Sequence, residues 1–460
     1  MENFWDSSVW GTFALCATLL ISLLIANVLK RTIKFLHYSL IPTSVLGGVI
    51  LIIVASIYKG ITGDVMFDTA FFSHSGTAKL EIITYHALAL GFVASTFKPA
   101  KSKLTKERSG EILNTGVTTV ATYLLQAVVG LAITIVAALV IANFFPAAGA
   151  LLPFGFGQGT GQALNYGNIY ELEHGFVNGK SFGLTIAALG FISASLGGVI
   201  HLNILKRKGK IKVIDRKEKR LRSEDIEAEN EIPMQESIDK LTVQVALIAV
   251  AYALTYGLMY LLGTLLPGMK SVIYGFNFLI GVLSATVVKL VLNLLRKKGL
   301  SKREYTNDFL MTRTSNFFFD IMVVAGIAAI RLSALQQYWG IMLILGIAGL
   351  VITYVYNLIV ARTLFKAYPE EQFLMMYGML TGTASTGIIL LREIDGDFET
   401  PASDNLVYQN FPAIVLGLPI MLLATVAPTK PVMVLLIALA YFVALNLFLF
   451  RSKIFRRKKK

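Results

Sequence analysis

The sequence is short of cysteine and of charge. It has one cysteine, Cys16, and only 15% charged residues beside 55% hydrophobic ones. A single thiol excludes an intrachain disulfide and a cysteine-based metal centre. Soluble domains carry about 25% charged residues, so the deficit excludes an ordinary soluble enzyme and a disordered chain. It is concentrated in long stretches, several exceeding the roughly 20 apolar residues that cross a bilayer as a helix. Catalytic signatures are scarce too. No H-E-x-x-H and no Walker phosphate loop occurs, which argues against a membrane enzyme and a nucleotide-driven pump. His86 stands alone in an apolar stretch, and His37, His74, His174 and His201 form no metal set. The net charge of +14 would suggest nucleic acid in a soluble chain. Here cytoplasmic loops account for it and no nucleic-acid partner is expected.

The apolar pattern predicts an all-α polytopic membrane protein with about eleven transmembrane helices. The spans fall near 8–29, 41–58, 81–97, 113–144, 181–204, 242–266, 272–294, 314–331, 338–360, 410–427 and 432–450. The first is no signal peptide, because its flank MENFWD is acidic and no cleavage site follows. With the N-terminus outside, the inner loops hold 34 of the 42 Lys and Arg residues. The opposite orientation inverts that bias. The expected location is therefore the inner (cytoplasmic) membrane, with the central loop and C-terminus cytoplasmic. The charged stretch 205–240 reads as a solvated cytoplasmic linker.

That linker separates two similar halves. An N-terminal repeat, 1–204, and a C-terminal repeat, 241–430, each run four helices, one segment rich in small residues, then a fifth helix. Five crossings separate their starts, so the halves are inverted; residues 431–460 add a helix and a basic tail. The first small-residue segment, about 150–166, alternates Gly155, Gly157, Gly159 and Gly161 with Phe156, Gln158 and Thr160. The second, about 373–391, sets Gly378, Gly382 and Gly387 around Thr381, Thr383, Ser385 and Thr386. Both are too apolar for loops and too glycine-rich for good continuous helices. Re-entrant hairpins, entering from outside and from inside, fit them. Such backbone survives at membrane depth only where protein or a wet cavity surrounds it. The bland alternative is glycine serving helix packing, and Gly378 and Gly382 have the GxxxG spacing. Broken segments at matched positions of two halves point to a transport site.

The strings GFGQGTGQALNYGN and YGMLTGTASTG, in this helix-and-hairpin order, resemble the bacterial sodium/glutamate symporter family, as a divergent branch. The resemblance covers roughly residues 5–430. It implies two inverted five-helix units with opposed hairpins, Na+ as the coupling ion, glutamate or a similar small carboxylate as substrate, an elevator-type motion and a homodimer. Gly157-Gln158-Gly159-Thr160 stands where the best-studied branch has a Gly-Gly-His-Gly-Thr type of hairpin, and the eleventh span and the linker are additional.

Candidate site residues follow from polar groups inside apolar stretches. Gln158, Gly159, Thr160, Gly161, Gln162, Thr381, Thr383, Ser385 and Thr386 offer amides and hydroxyls to an anionic substrate. Arg392 is either a carboxylate fork or a cation reaching the cytoplasmic surface. Asp320 and Asn316, with Gly157, Gly382 and Asn165, offer oxygens to Na+; Asp320 could equally be salt-bridged at a helix end. Asn357 reads as an interhelical hydrogen bonder. No enzymatic role, cofactor or transition metal is expected. The alternatives are a carrier of another organic acid, H+ coupling through Asp320, and an ion channel with a glycine-lined filter.

Overall fold

The computed structural model describes residues 3–38, 40–97, 106–209, 231–234, 237–300, 303–395 and 399–451. Most of the charged linker, the tail after residue 451, and the Ser385 side chain therefore lie outside the described residues. Among those described, no strand occurs; one isolated bridge joins Glu231 to Glu304.

The helices run in order: α1 Ser7–Thr32, α2 Lys34–Tyr38, α3 Thr43–Thr62, α4 Gly76–Thr96, α5 Lys106–Val140, α6 Leu152–His174 and α7 Gly179–Arg207. After the linker come α8 Lys240–Leu265, α9 Lys270–Gly275, α10 Asn277–Lys297, α11 Asp308–Ala328 and α12 Leu332–Leu364. The last are α13 Pro369–Thr381, α14 Ala384–Arg392, α15 Ala402–Tyr408, α16 Asn410–Val426 and α17 Pro431–Leu449. Start signals are chemical. Asp239 caps α8 by accepting the Leu241 and Thr242 N–H groups, and Pro369 and Pro431 begin α13 and α17 where no N–H is needed. Gly63 and Gly175 close α3 and α6 in the left-handed region.

Eight helices among the described residues are long and apolar enough to cross a bilayer: α1, α3, α5, α7, α8, α10, α12 and α17. The bent pair α15 and α16 would make a ninth. The protein is thus all-α with several helices fit to span a membrane. In the threonine-rich α5, Thr115, Thr118, Thr119 and Thr122 return their hydroxyls to carbonyls four residues back, so the helix satisfies these hydroxyls itself.

Contacts divide the chain into two compact units. The first comprises Met1–Thr77, Leu104–Arg216 and Gly326–Lys460; the second, Ala78–Lys103 and Lys217–Ala325. The second has its own apolar core, with Val93, Phe97, Ile248, Ala251, Ala285 and Met311 packed together. Both small-residue segments fall in the first unit.

Each segment is a helical hairpin. Before α6 a 3-10 stretch, Pro146–Leu151, leads inward, and α6 itself breaks at Gly159 (φ 79°, ψ −171°). Phe145 stacks on Phe176 at 4.6 Å and Phe154 on Tyr166 at 3.9 Å. Residues twelve apart in a straight helix would be about 18 Å apart, so the chain reverses at Gly159. The hairpin extends to His174, well past the expected limit near 166. Helices α13 and α14 form the second hairpin, reversing at Gly382 and Thr383, with Gly378 against Gly387.

Both arms of each hairpin are helical, and most of the glycines serve close packing. A Cβ at Gly155 would stand 2.7 Å from the Ile186 side chain, and one at Gly378 would stand 2.8 Å from Gly387 Cα. Only Gly159 needs its backbone freedom, because few side chains tolerate its positive φ. The same close packing joins Gly130 of α5 to Gly149 backbone to backbone. Gly149→Val and Gly378→Val should each lower the thermal unfolding midpoint in detergent, at a cost of about 1–3 kcal/mol or more. Gly257→Val, at a site with nothing within 4 Å, should leave that midpoint nearly unchanged.

Candidate functional site

The two hairpins enter the first unit from opposite ends. The first has its base at the C-terminal end of α5, where Thr134 Oγ1 donates to the Pro146 carbonyl at 2.7 Å and accepts the Gly149 N–H. Its return arm packs Gly167 against Gly179, at the start of α7. The second has its base at the other ends of the same helices. Gln372 Nε2 donates to Thr115 Oγ1 at 3.2 Å in the first third of α5, and Glu370 meets His201, near the end of α7, at 2.8 Å.

Both tips reach the middle of these helices. A Cβ at Gly190 of α7 would stand 2.6 Å from the Thr381 carbonyl oxygen and 3.2 Å from Phe156 Cα. One small residue thus seats both hairpins. Tyr123 of α5 donates its hydroxyl to the Gly157 carbonyl at 3.1 Å. Gln126, one turn on, donates to the Leu380 carbonyl at 2.9 Å and to Thr353 Oγ1 of α12 at 2.8 Å. Asn357 of α12 donates to the Thr353 carbonyl at 2.9 Å and to Thr122 Oγ1 at 3.4 Å. Thr160 sits against Gly326 in α11.

Chemically, the tips gather neutral hydrogen-bonding groups in a buried place. Thr160, Gln162, Asn165, Thr381 and Thr386 are all buried. Gln158 and Thr383 are half-buried and Ala384 is exposed, which leaves the tips an accessible side. Thr381 donates to the Tyr377 carbonyl, and the Thr383 and Thr386 hydroxyls lie 3.4 Å apart. Helices starting at the tips, one after Gly159 and the other at Ala384, direct positive dipole ends there. The N–H groups of Gly161 and Gln162 lie in the first turn, which a helix leaves without internal acceptors. Gln162 is the most telling residue. It is 1% exposed, and neither its Oε1 nor its Nε2 has a partner among the described residues. A buried amide without partners costs about 1–3 kcal/mol, and a polar ligand at the tips would recover it.

Other expected site residues are placed elsewhere. Gly157 is buried on the inward arm with its carbonyl taken by Tyr123, and Gly382 forms the second turn. Arg392 is exposed at the far end of α14, nine residues beyond Thr383, so the structure does not bring it to the tips. Asp320 and Asn316 are exposed on the part of α11 that belongs to the second unit. Ser385 lies in the first turn of α14. Among the described residues no group of three His, Cys, Asp or Glu side chains could hold a metal ion.

Sequence reasoning missed Tyr123, Gln126 and Thr353, which hold the tips from outside the hairpins. Each lies among other polar residues of an apolar span, and no motif sets it apart. The string Gly179-Lys180-Ser181-Phe182-Gly183 has the spacing of a hydrolase nucleophile motif. No strand precedes it, though, and buried Ser181 accepts the Arg331 N–H through its hydroxyl.

No family model matches this chain, and no curated protein or solved structure matches it either.

Replacing Gln162 by Leu should leave the thermal midpoint unchanged or higher, because no hydrogen bond within the protein is lost. Gln126→Leu, which strips the Leu380 carbonyl and Thr353 of a donor, should cost about 1–3 kcal/mol in the same melt.

Proposed function

We propose that this chain is a secondary active transporter that couples Na+ entry to uptake of glutamate or a similar small carboxylate. The observation carrying this reading is the meeting of two oppositely directed hairpin tips on Gly190, beside the unpartnered amide of Gln162. The resemblance of GFGQGTGQALNYGN and YGMLTGTASTG to the sodium/glutamate symporters supports the same reading.

In it, about eleven helices cross the inner membrane with the N-terminus outside. Residues 1–204 and 241–430 are inverted repeats, and the hairpins are re-entrant. A reciprocal pattern supports the inversion: Thr122-x3-Gln126 on α5 and Thr353-x3-Asn357 on α12 exchange amide-to-threonine bonds, and each helix directly precedes a hairpin. Gln158, Gly159, Thr160, Gly161, Gln162, Thr381, Thr383, Ser385 and Thr386 surround the substrate. First-turn N–H groups and hydroxyls take its carboxylates, and Gln162 takes its ammonium or a remaining carboxylate oxygen. A neutral, desolvated cradle selects small anions whose charge a co-bound cation balances. The helices carrying the hairpins move against a more static scaffold of outer helices in an elevator-type cycle within a homodimer, so that the site opens to one side at a time.

Proteoliposomes containing the full chain should accumulate labelled glutamate only under an inward Na+ gradient. Gln162→Ala should reduce uptake at least tenfold, and Gln158→Ala and Thr383→Ala should each raise the half-saturating glutamate concentration. Uptake that ignores the Na+ gradient, or that survives all three substitutions, would overturn the assignment.

A further inference from the structure

Beside the tips lies a second set of polar atoms that substrate recognition leaves unused. Gln126 and Asn357 are both fully buried, at 0% exposure, and the carbonyl oxygens Gln126 Oε1 and Asn357 Oδ1 have no partner among the described residues. Their amino groups are committed. Both Gln126 donors are used, on Thr353 Oγ1 and the Leu380 carbonyl, and both Asn357 donors are used, on Thr122 Oγ1 and the Thr353 carbonyl. The Thr122 hydroxyl itself donates to the Thr118 carbonyl at 2.8 Å. Each amide is thereby fixed in orientation with its oxygen left over.

This arrangement is rich in acceptors and poor in donors. A bridging water that donates to both oxygens and accepts the Thr353 hydroxyl hydrogen is the competing occupant. A cation needs only lone pairs. Neutral amide and hydroxyl oxygens are hard ligands that suit Na+, and none of the four residues is a carboxylate that would offset the desolvation of a divalent ion. We infer that a Na+-sized monovalent cation binds between α5 and α12, held by Gln126 Oε1 and Asn357 Oδ1 with the oxygens of Thr122 and Thr353 beside them. The site adjoins Leu380, one residue before the last helical position of the second hairpin's inward arm. Occupancy fixes that arm through Gln126, so the ion and the substrate cradle are mechanically joined.

Occupancy stands on the buried oxygens alone; only its role as the coupling ion rests on the transporter reading. The test uses the purified full chain in detergent, with NaCl, KCl or choline chloride at constant ionic strength and no substrate. Na+ should raise the thermal midpoint saturably, with K+ and choline giving smaller shifts. Asn357→Leu should raise the half-saturating Na+ concentration at least tenfold. Asn357→Asp, nearly the same shape with a negative charge, should lower it at least fivefold, and this variant decides the matter if the leucine variant fails to fold. Gln162→Leu should keep the wild-type Na+ response. Equal midpoints in all three salts, or an Asn357→Asp response identical to wild type, would overturn the site and leave the oxygens to water. A Na+ response that persists in a protein unable to move glutamate would keep this site and sink the proposed function.

Discussion

Main-chain polar groups cannot be left exposed in a bilayer, and a chain that reverses at depth must bury its turn within protein. In the first unit two chain reversals pack against the long helices α5, α7 and α12. Contact at glycine makes this possible. Gly190 admits both tips, Gly149 and Gly130 let the first hairpin lie directly on α5, and Gly378 and Gly387 bring the arms of the second together. A methyl group at any of these points would push backbone from backbone.

Polar satisfaction follows the same logic. Threonines along α5 return their hydroxyls to their own helix, and tyrosines reach outward to carbonyls. Tyr166 and Tyr170 of the first hairpin donate to the Met421 and Ala424 carbonyls of α16 at 2.9 and 2.7 Å. Tyr377 of the second donates to the Ser193 carbonyl at 2.7 Å. Buried side-chain atoms without a partner among the described residues remain at Asn114, Asn277, Ser284, Asn405 and Gln409 as well as at Gln162, Gln126 and Asn357. Of these, Gln162 follows the first turn and Gln126 holds the Leu380 carbonyl of the second hairpin, and Gln162 alone lacks partners for both its amide atoms.

At its base, the second hairpin is held by charge. Glu370 joins the buried His201 at 2.8 Å and Arg362 at 3.0 Å, and His201 contacts the Tyr354 hydroxyl through its other ring nitrogen. Beside this knot Glu371 is pushed up from the usual carboxylate range, first by burial and then by the neighbouring Asp395 and Glu370 charges. The base thus carries charged groups while the tip carries neutral ones. That division suits a hairpin whose tip handles ligands and whose foot anchors it to α7 and α12.

Apolar runs and their lengths fixed the helical class in the sequence itself, because burial in lipid leaves a backbone few options. Both hairpins were legible as glycine- and threonine-rich interruptions, since no ordinary loop is that apolar and few helices carry so much glycine. The helical state of their arms was not legible, because packing against Ile186, Tyr123 and Gly387 outweighs a weak local propensity. Nor did composition rank the polar residues. Asp320 and Arg392 drew notice as charges in apolar surroundings, yet both are exposed, whereas Gln126, Thr353 and Gln162 acquire meaning only from partners 227 and 254 residues away, or from having none. Local chemistry sets what a segment can become. Which atoms end up without a partner depends on how distant segments close around them, and only the tertiary structure decides that.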